Sequence, residues 1–106
     1  MTDQPDLTHE PTVTRDDAQS RYEVHVGDVL AGFTEFRTDS RGRVVFPHTE
    51  VDPAFRGKGL AGVLIGEAMT DSAARGDTVV PVCPAVAKYV RANEIGGLTV
   101  AWPDGT

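Results

Sequence analysis

The sequence predicts a mixed α/β (α+β) domain: an antiparallel three-strand meander followed by a helix, a parallel strand and a second helix. Three observations carry this. Apolar and polar residues alternate over residues 22–26, and two further apolar-rich runs follow at 29–37 and 43–51 across short turns. A glycine-rich loop, Arg56-Gly57-Lys58-Gly59, then opens a stretch whose apolar period is that of a helix. Beyond it come a short apolar strand at 77–82 and a proline-led helical segment from Pro84.

Each element has its own reason. Residues 1–20 are rich in Thr, Asp, Pro and Gln and poor in large apolar side chains, so they read as a disordered acidic tail ahead of a domain at 21–106. Tyr22, Val24 and Val26 form the apolar face of the first strand, and Gly27-Asp28 turns the chain. In the second strand Leu30, Gly32, Thr34 and Phe36 share one face and Val29, Ala31, Phe33 and Glu35 the other. Turn formers at 38–42 lead into the third strand, where Pro47 predicts a bulge or a departing neighbour. Ala61, Leu64, Ile65, Ala68 and Ser72 make one stripe of a helix over 60–75, with Asp71 and Arg75 paired at i,i+4 and Gly76 as its stop. A helical crossover makes the strand at 77–82 parallel to the third strand, and Pro81 again implies interrupted pairing. Residues 84–93 form the second helix, with Val86, Tyr89 and Val90 inward. Residues 94–106 are read as either a last strand or a packed tail.

Bulk properties narrow the function classes. The chain has 106 residues, enough for one compact domain. No apolar run approaches the ~20 residues of a membrane span, and the first residues lack a signal-peptide pattern. Cys83 is the single cysteine, so no intrachain disulfide is expected and a cytoplasmic location fits. Of the net charge of −6, residues 1–20 hold −4, with five acids against Arg15. The nearly balanced remainder lacks the basic face of a nucleic-acid binder. No membrane partner and no metal ligand set is expected. The acidic balance suits a cationic acceptor such as a polyamine or a lysine-bearing peptide.

The loop is the strongest signal. A glycine-rich turn opening a helix leaves backbone N–H groups pointing one way at the positive end of the dipole, a setting for phosphate. Arg56 and Lys58 add two cations there. Arg56-Gly57-Lys58-Gly59-Leu60-Ala61 resembles the acyl-CoA pyrophosphate loop of the GNAT N-acetyltransferase superfamily, Arg/Gln-x-x-Gly-x-Gly/Ala. With His48-Thr49-Glu50-Val51, Val82-Cys83-Pro84 and Lys88-Tyr89-Val90, the chain resembles the small single-domain YidJ-type GNAT-like acetyltransferases between about residues 22 and 93. The resemblance implies a compact GNAT-like fold, acetyl-CoA as cofactor, and transfer of acetyl to a primary amine on a small molecule or peptide. It also implies that the strand before the loop splays from the later parallel strand, with the pantetheine arm in the gap. Val51, Arg56, Gly57, Lys58, Gly59, Leu60 and Ala61 would then contact the cofactor, with a backbone N–H near Glu50-Val51 toward the thioester oxygen.

Candidate chemistry gathers nearby. His48 and Glu50 are two apart on a strand and project from one face, and histidine titrates near neutral pH. Either one is a candidate proton acceptor. Cys83 precedes a helix N-terminus, a setting that activates thiols, and stands as a candidate nucleophile or as a lining of the acyl pocket. By resemblance, Tyr89 would protonate the departing CoA thiolate and Asn93 would touch the cofactor. Larger superfamily members insert one or two helices where this chain has Gly27-Asp28. The acceptor side is therefore expected to be open, or completed in a homodimer rather than a monomer. That openness also favours an alternative, a CoA-binding regulatory module with little turnover. A nucleotide ligand fits less well, because neither a Gly-Lys-Ser/Thr loop close nor a dinucleotide spacing is present.

Overall fold

The computed structural model describes residues 10–103. Residues 1–9 of the expected tail, and 104–106, lie outside the described residues. The chain runs β1 (Pro11–Asp16), β2 (Arg21–Val26), β3 (Val29–Thr38), β4 (Val44–Val51), a single 3-10 turn (Pro53–Phe55), α1 (Leu60–Arg75), β5 (Thr78–Pro81), α2 (Pro84–Ala92) and β6 (Thr99–Val100). The strands form one sheet in sequence order. β1 to β4 are antiparallel, whereas β4–β5 and β5–β6 are parallel, as crossovers through α1 and α2 require.

β1 is a correction to the sequence reading. Pro11–Asp16 lies within the stretch expected to be disordered, yet it pairs with β2 from Pro11↔Val26 to Asp16↔Arg21. The reason is Arg15. Its guanidinium lies 4.4 Å from the Phe36 ring centroid and donates to the Tyr22 hydroxyl at 2.7 Å. A long cationic side chain thus covers aromatic surface where the segment lacks large apolar residues. Val13 packs against the core beside it. The meander therefore has four strands, not three.

The alternation expected for the second strand also breaks. The β2–β3 register passes from Val24↔Gly32 to His25↔Leu30, which leaves Ala31 as an extra residue on β3. Ala31 consequently joins Thr34 and Phe36 in the interior instead of sharing the outward face with Phe33. The bulge expected from Pro47 is present: Glu35↔His48 is followed by Arg37↔Val45, with the extra residue on β4. Residues 99–100 form a last strand, β6, and the Ala101 N–H just past it donates to Val79 O at 2.9 Å.

α1 and α2 contribute to one core with the inward faces of the strands. Phe46, Leu64, Ile65, Met69, Val79 and Val86 are fully buried within it. Leu60, Leu64, Ile65, Ala68, Met69 and Ser72 make the buried stripe of α1, recurring at three to five residues. Gly76, at φ 75°, ends the helix by donating to Ala73 O and Ser72 O. The opposite sheet face carries Arg21, Glu23, His25, Phe33, His48 and Glu50, with Arg21 stacked 4.5 Å from the Phe33 centroid.

Near its C-terminal end α1 is clamped to β1 and β2. Tyr22 donates to Asp71 Oδ2 at 2.6 Å, and Arg75 Nε donates to the same oxygen at 2.7 Å. The Tyr22 hydrogen bond first, then that of Arg75, holds the Asp71 carboxyl below the usual aspartate range. A depressed carboxyl stabilises the fold above the unfolded value and loses that contribution as pH falls through the native one. The Asp71 side chain is 40% exposed, so screening limits the contribution to about 1 kcal/mol. Urea unfolding at neutral pH and again below pH ~3 should therefore show a smaller acid loss in Asp71→Asn than in wild type. An equal acid loss would place the sensitivity elsewhere. A second substitution should stabilise. The Ser72 hydroxyl is buried without a hydrogen-bond partner among the described residues. Ser72→Ala should raise the unfolding free energy by about 1 kcal/mol, read as a higher urea midpoint at unchanged slope.

Candidate active site

The site is made where β4 and β5 stop pairing. They run parallel through Val44↔Val79, Val45↔Val80 and Phe46↔Pro81. The Val82 N–H then turns back to Val80 O, and the Cys83 N–H makes one last link to Phe46 O at 2.8 Å. Pro81 has no N–H to extend the ladder, and Pro47 bends β4 at the same level. From His48 onward the edge of β4 that faced β5 has no strand partner. A cavity of about 630 Å³ lies at this end of the sheet, lined by Leu30 to Phe33 of β3, His48 to Val51 of β4, and Asp52, Pro53 and Arg56 of the turn that follows.

The backbone direction follows from the ladder. The Asp52 N–H donates to Ala31 O at 2.7 Å. Antiparallel bonding alternates, so Glu50 and His48 also point their backbone groups at β3. Thr49 and Val51 point theirs at the opened gap. Gly32 permits the close approach here, because a Cβ on it would lie 2.6 Å from Glu50 O.

Below the gap, the Asp52 side chain caps the turn at Ala54 N, and the chain passes through Arg56, Gly57, Lys58 and Gly59 into α1. Gly57 and Gly59 have φ of 83° and 75°, which side chains other than glycine adopt only at a cost. Gly59 is the N-cap of α1, with no side-chain cap and no acidic residue in the first turn. The N–H groups of the first turn are thus left to solvent or a ligand. A Cβ on Gly57 or Gly59 would meet nothing within 4 Å. Arg56 and Lys58 are exposed, and Arg56 Nε reaches Val51 O at 3.4 Å. A second cavity, about 370 Å³, joins Val51 to Phe55, Arg56, Gly57, Gly59, Leu60 and Ala61. The residues named from the loop motif thus lie around one concavity with Val51, apart from Lys58, which is exposed on the same turn.

The catalytic candidates divide into two groups. His48 Nε2 and Glu50 Oε2 are 2.8 Å apart on the outward face, with side chains 49% and 60% exposed. Cys83 is buried on the other face, and its thiol donates to Thr49 Oγ1 at 3.4 Å. Strand alternation causes the separation, since Thr49 lies between His48 and Glu50 and points the opposite way. The pair is placed to take a proton from a group in the open cavity, not from the Cys83 thiol. Tyr89 is half-buried on α2, its hydroxyl against α1, where a Cβ on Gly66 would come within 2.6 Å of it. Asn93 caps α2, its Nδ2 donating to Tyr89 O at 3.0 Å. Thr34 and Thr49 are site residues that sequence reasoning passed over. Gly32, a glycine in the interior of a strand, was the available signal for close backbone approach at this point.

A split sheet above a glycine loop that opens a helix is the architecture of a compact GNAT-like fold. Residues 21–95 match the family model described as GCN5-related N-acetyl-transferase, and the chain belongs to that family. The family supports acyl transfer, acetyl transfer in general, as its chemistry. No curated protein matches the chain.

Gly59→Val is the sharpest test of the loop. The positive φ should cost about 1–2 kcal/mol of stability, and the new side chain would stand in the space beside the helix N-terminus. Affinity for CoA, measured by calorimetry on the folded variant, should fall at least tenfold; wild-type affinity would remove the loop from the site.

Proposed function

We propose that the protein is an acetyl-CoA-dependent N-acetyltransferase that moves acetyl to a primary amine of a small molecule or peptide, and that it groups with the small YidJ-type members. The observation that carries this is the parting of β4 from β5 directly above the uncapped N-terminus of α1. The residues fit an acyl-CoA. The positive-φ glycines leave open space beside exposed Arg56 and Lys58, a setting suited to a pyrophosphate. The Val51 N–H, turned into the gap, suits a thioester oxygen that gains negative charge. Bound acetyl-CoA supplies an activated acyl carbon. The chain supplies orientation, a hydrogen bond to the oxyanion, and a proton acceptor for the amine. Either member of the His48–Glu50 pair serves as that acceptor, since both reach the cavity and solvent. The carboxylates Glu50 and Asp52 at the cavity favour an acceptor that arrives as a cation. We also assign the protein to the cytoplasm, where the free Cys83 thiol stays reduced.

Calorimetric titration with acetyl-CoA, followed by a thiol-release assay over polyamines and lysine peptides, tests the reading. The expected result is micromolar binding with amine-dependent release of CoA. Binding without release for any amine selects a regulatory CoA-binding module instead, and no binding overturns both. With Cys83 accepting the acetyl group from the thioester and passing it to the amine, Cys83→Ala should lower turnover at least tenfold while acetyl-CoA affinity stays within about twofold. An unchanged rate would assign direct transfer from thioester to amine and leave Cys83 as lining.

A further inference from the structure

We propose that Thr49 is a positioning residue whose hydroxyl fixes the rotamer of the Cys83 thiol at the apex of the gap. The Cys83 backbone is already held on both sides: its N–H donates to Phe46 O at 2.8 Å, and its C=O accepts from Ala87 N at 2.9 Å. Pro84 follows at the first turn of α2, with Cys83 at φ −63° and ψ 129°. What remains free is rotation about the Cα–Cβ bond, which decides where the sulfur points. The thiol donates to Thr49 Oγ1 at 3.4 Å, three residues beyond the last rung on β4, where the strands have separated.

A second hydroxyl lies further in. Thr34 is fully buried, and its hydroxyl lies 3.5 Å from His48 O and 2.8 Å from Thr49 Oγ1. The 2.8 Å contact accommodates either hydroxyl as donor, and in both arrangements Thr49 Oγ1 keeps acceptor capacity. A lone pair of Thr49 is left for the thiol. Thr49 is also one of the residues that line the 630 Å³ cavity. The inference rests on the proposed function in one respect: the acyl end of the donor must come to the apex of the gap.

The test uses Thr49→Val, which keeps the shape and removes the acceptor, and Thr49→Ser, which keeps the acceptor. Thr49→Ala stands in for Val where Val fails to unfold cooperatively. In Val, kcat should fall about tenfold, the scale of one hydrogen bond that holds the sulfur in place. KM for acetyl-CoA should stay within about twofold. Alkylation of Cys83 by iodoacetamide should quicken at least threefold as the sulfur leaves its fixed rotamer. Ser should restore wild-type values in both assays. Wild-type kcat and alkylation in the Val variant, or a Ser variant no better than Val, overturns the assignment. The alkylation arm needs no acetyl-CoA. Should the wild type show no turnover, that failure belongs to the proposed function, and the alkylation rates still decide the role of Thr49.

Discussion

Two prolines at one level of the sheet set the conditions for everything else in the site. Pro47 on β4 and Pro81 on β5 stand beside the last parallel rung, Phe46↔Pro81. Neither has an N–H, so neither strand continues its ladder unaltered past this point. On the β3 side Pro47 produces a bulge; on the β5 side Val82 turns its N–H back to Val80 and the chain leaves for α2. The result is a strand, β4, that pairs with β3 on one edge and over Thr49 and Val51 has no strand partner on the other, where only Val51 O is met, by Arg56 Nε at 3.4 Å. An exposed strand edge is ordinarily a hazard for association. Here Val51, on that edge, lines the cavity beside the glycine loop, so its N–H faces a ligand-sized space.

That geometry divides labour between the faces of β4. The outward face presents the His48–Glu50 pair to solvent, where protons come and go. The inward face presents Thr49, joined to buried Thr34 and Cys83. Residues two apart on a strand cooperate directly; a residue between them belongs to a different environment. The pleat therefore sets the His48–Glu50 pair and the Thr49–Cys83 contact on opposite faces.

Much of this was legible in the sequence, because it rests on local rules. The helix over 60–75 follows from a stripe and a glycine stop, and the bulge in β4 follows from Pro47. The loop follows from glycines and cations at fixed spacing. What escaped is long-range. β1 has almost no apolar content of its own, and it is held by Arg15 on Phe36 and Tyr22, partners that no local window connects. The bulge at Ala31 carries no proline to announce it; only the neighbouring Gly32 hints that two backbones meet. Thr49 and Cys83 are 34 residues apart in the chain. Their contact exists only because a parallel crossover returns the chain beside β4.

The polar clamp and the ligand loop are two ends of one rigid body. α1 presents the loop at its N-terminus and, three turns on, is held to β1 and β2 through Asp71. Between them Leu60, Leu64, Ile65, Ala68 and Met69 are buried, so the helix cannot roll without opening the core. A helix anchored this way transmits its position to the N–H groups of its first turn, which have no side-chain cap to hold them. An edge strand, β1, braces the aromatic cluster behind the clamp through Arg15. β1, which composition alone assigns to a disordered tail, is part of what keeps the loop in place.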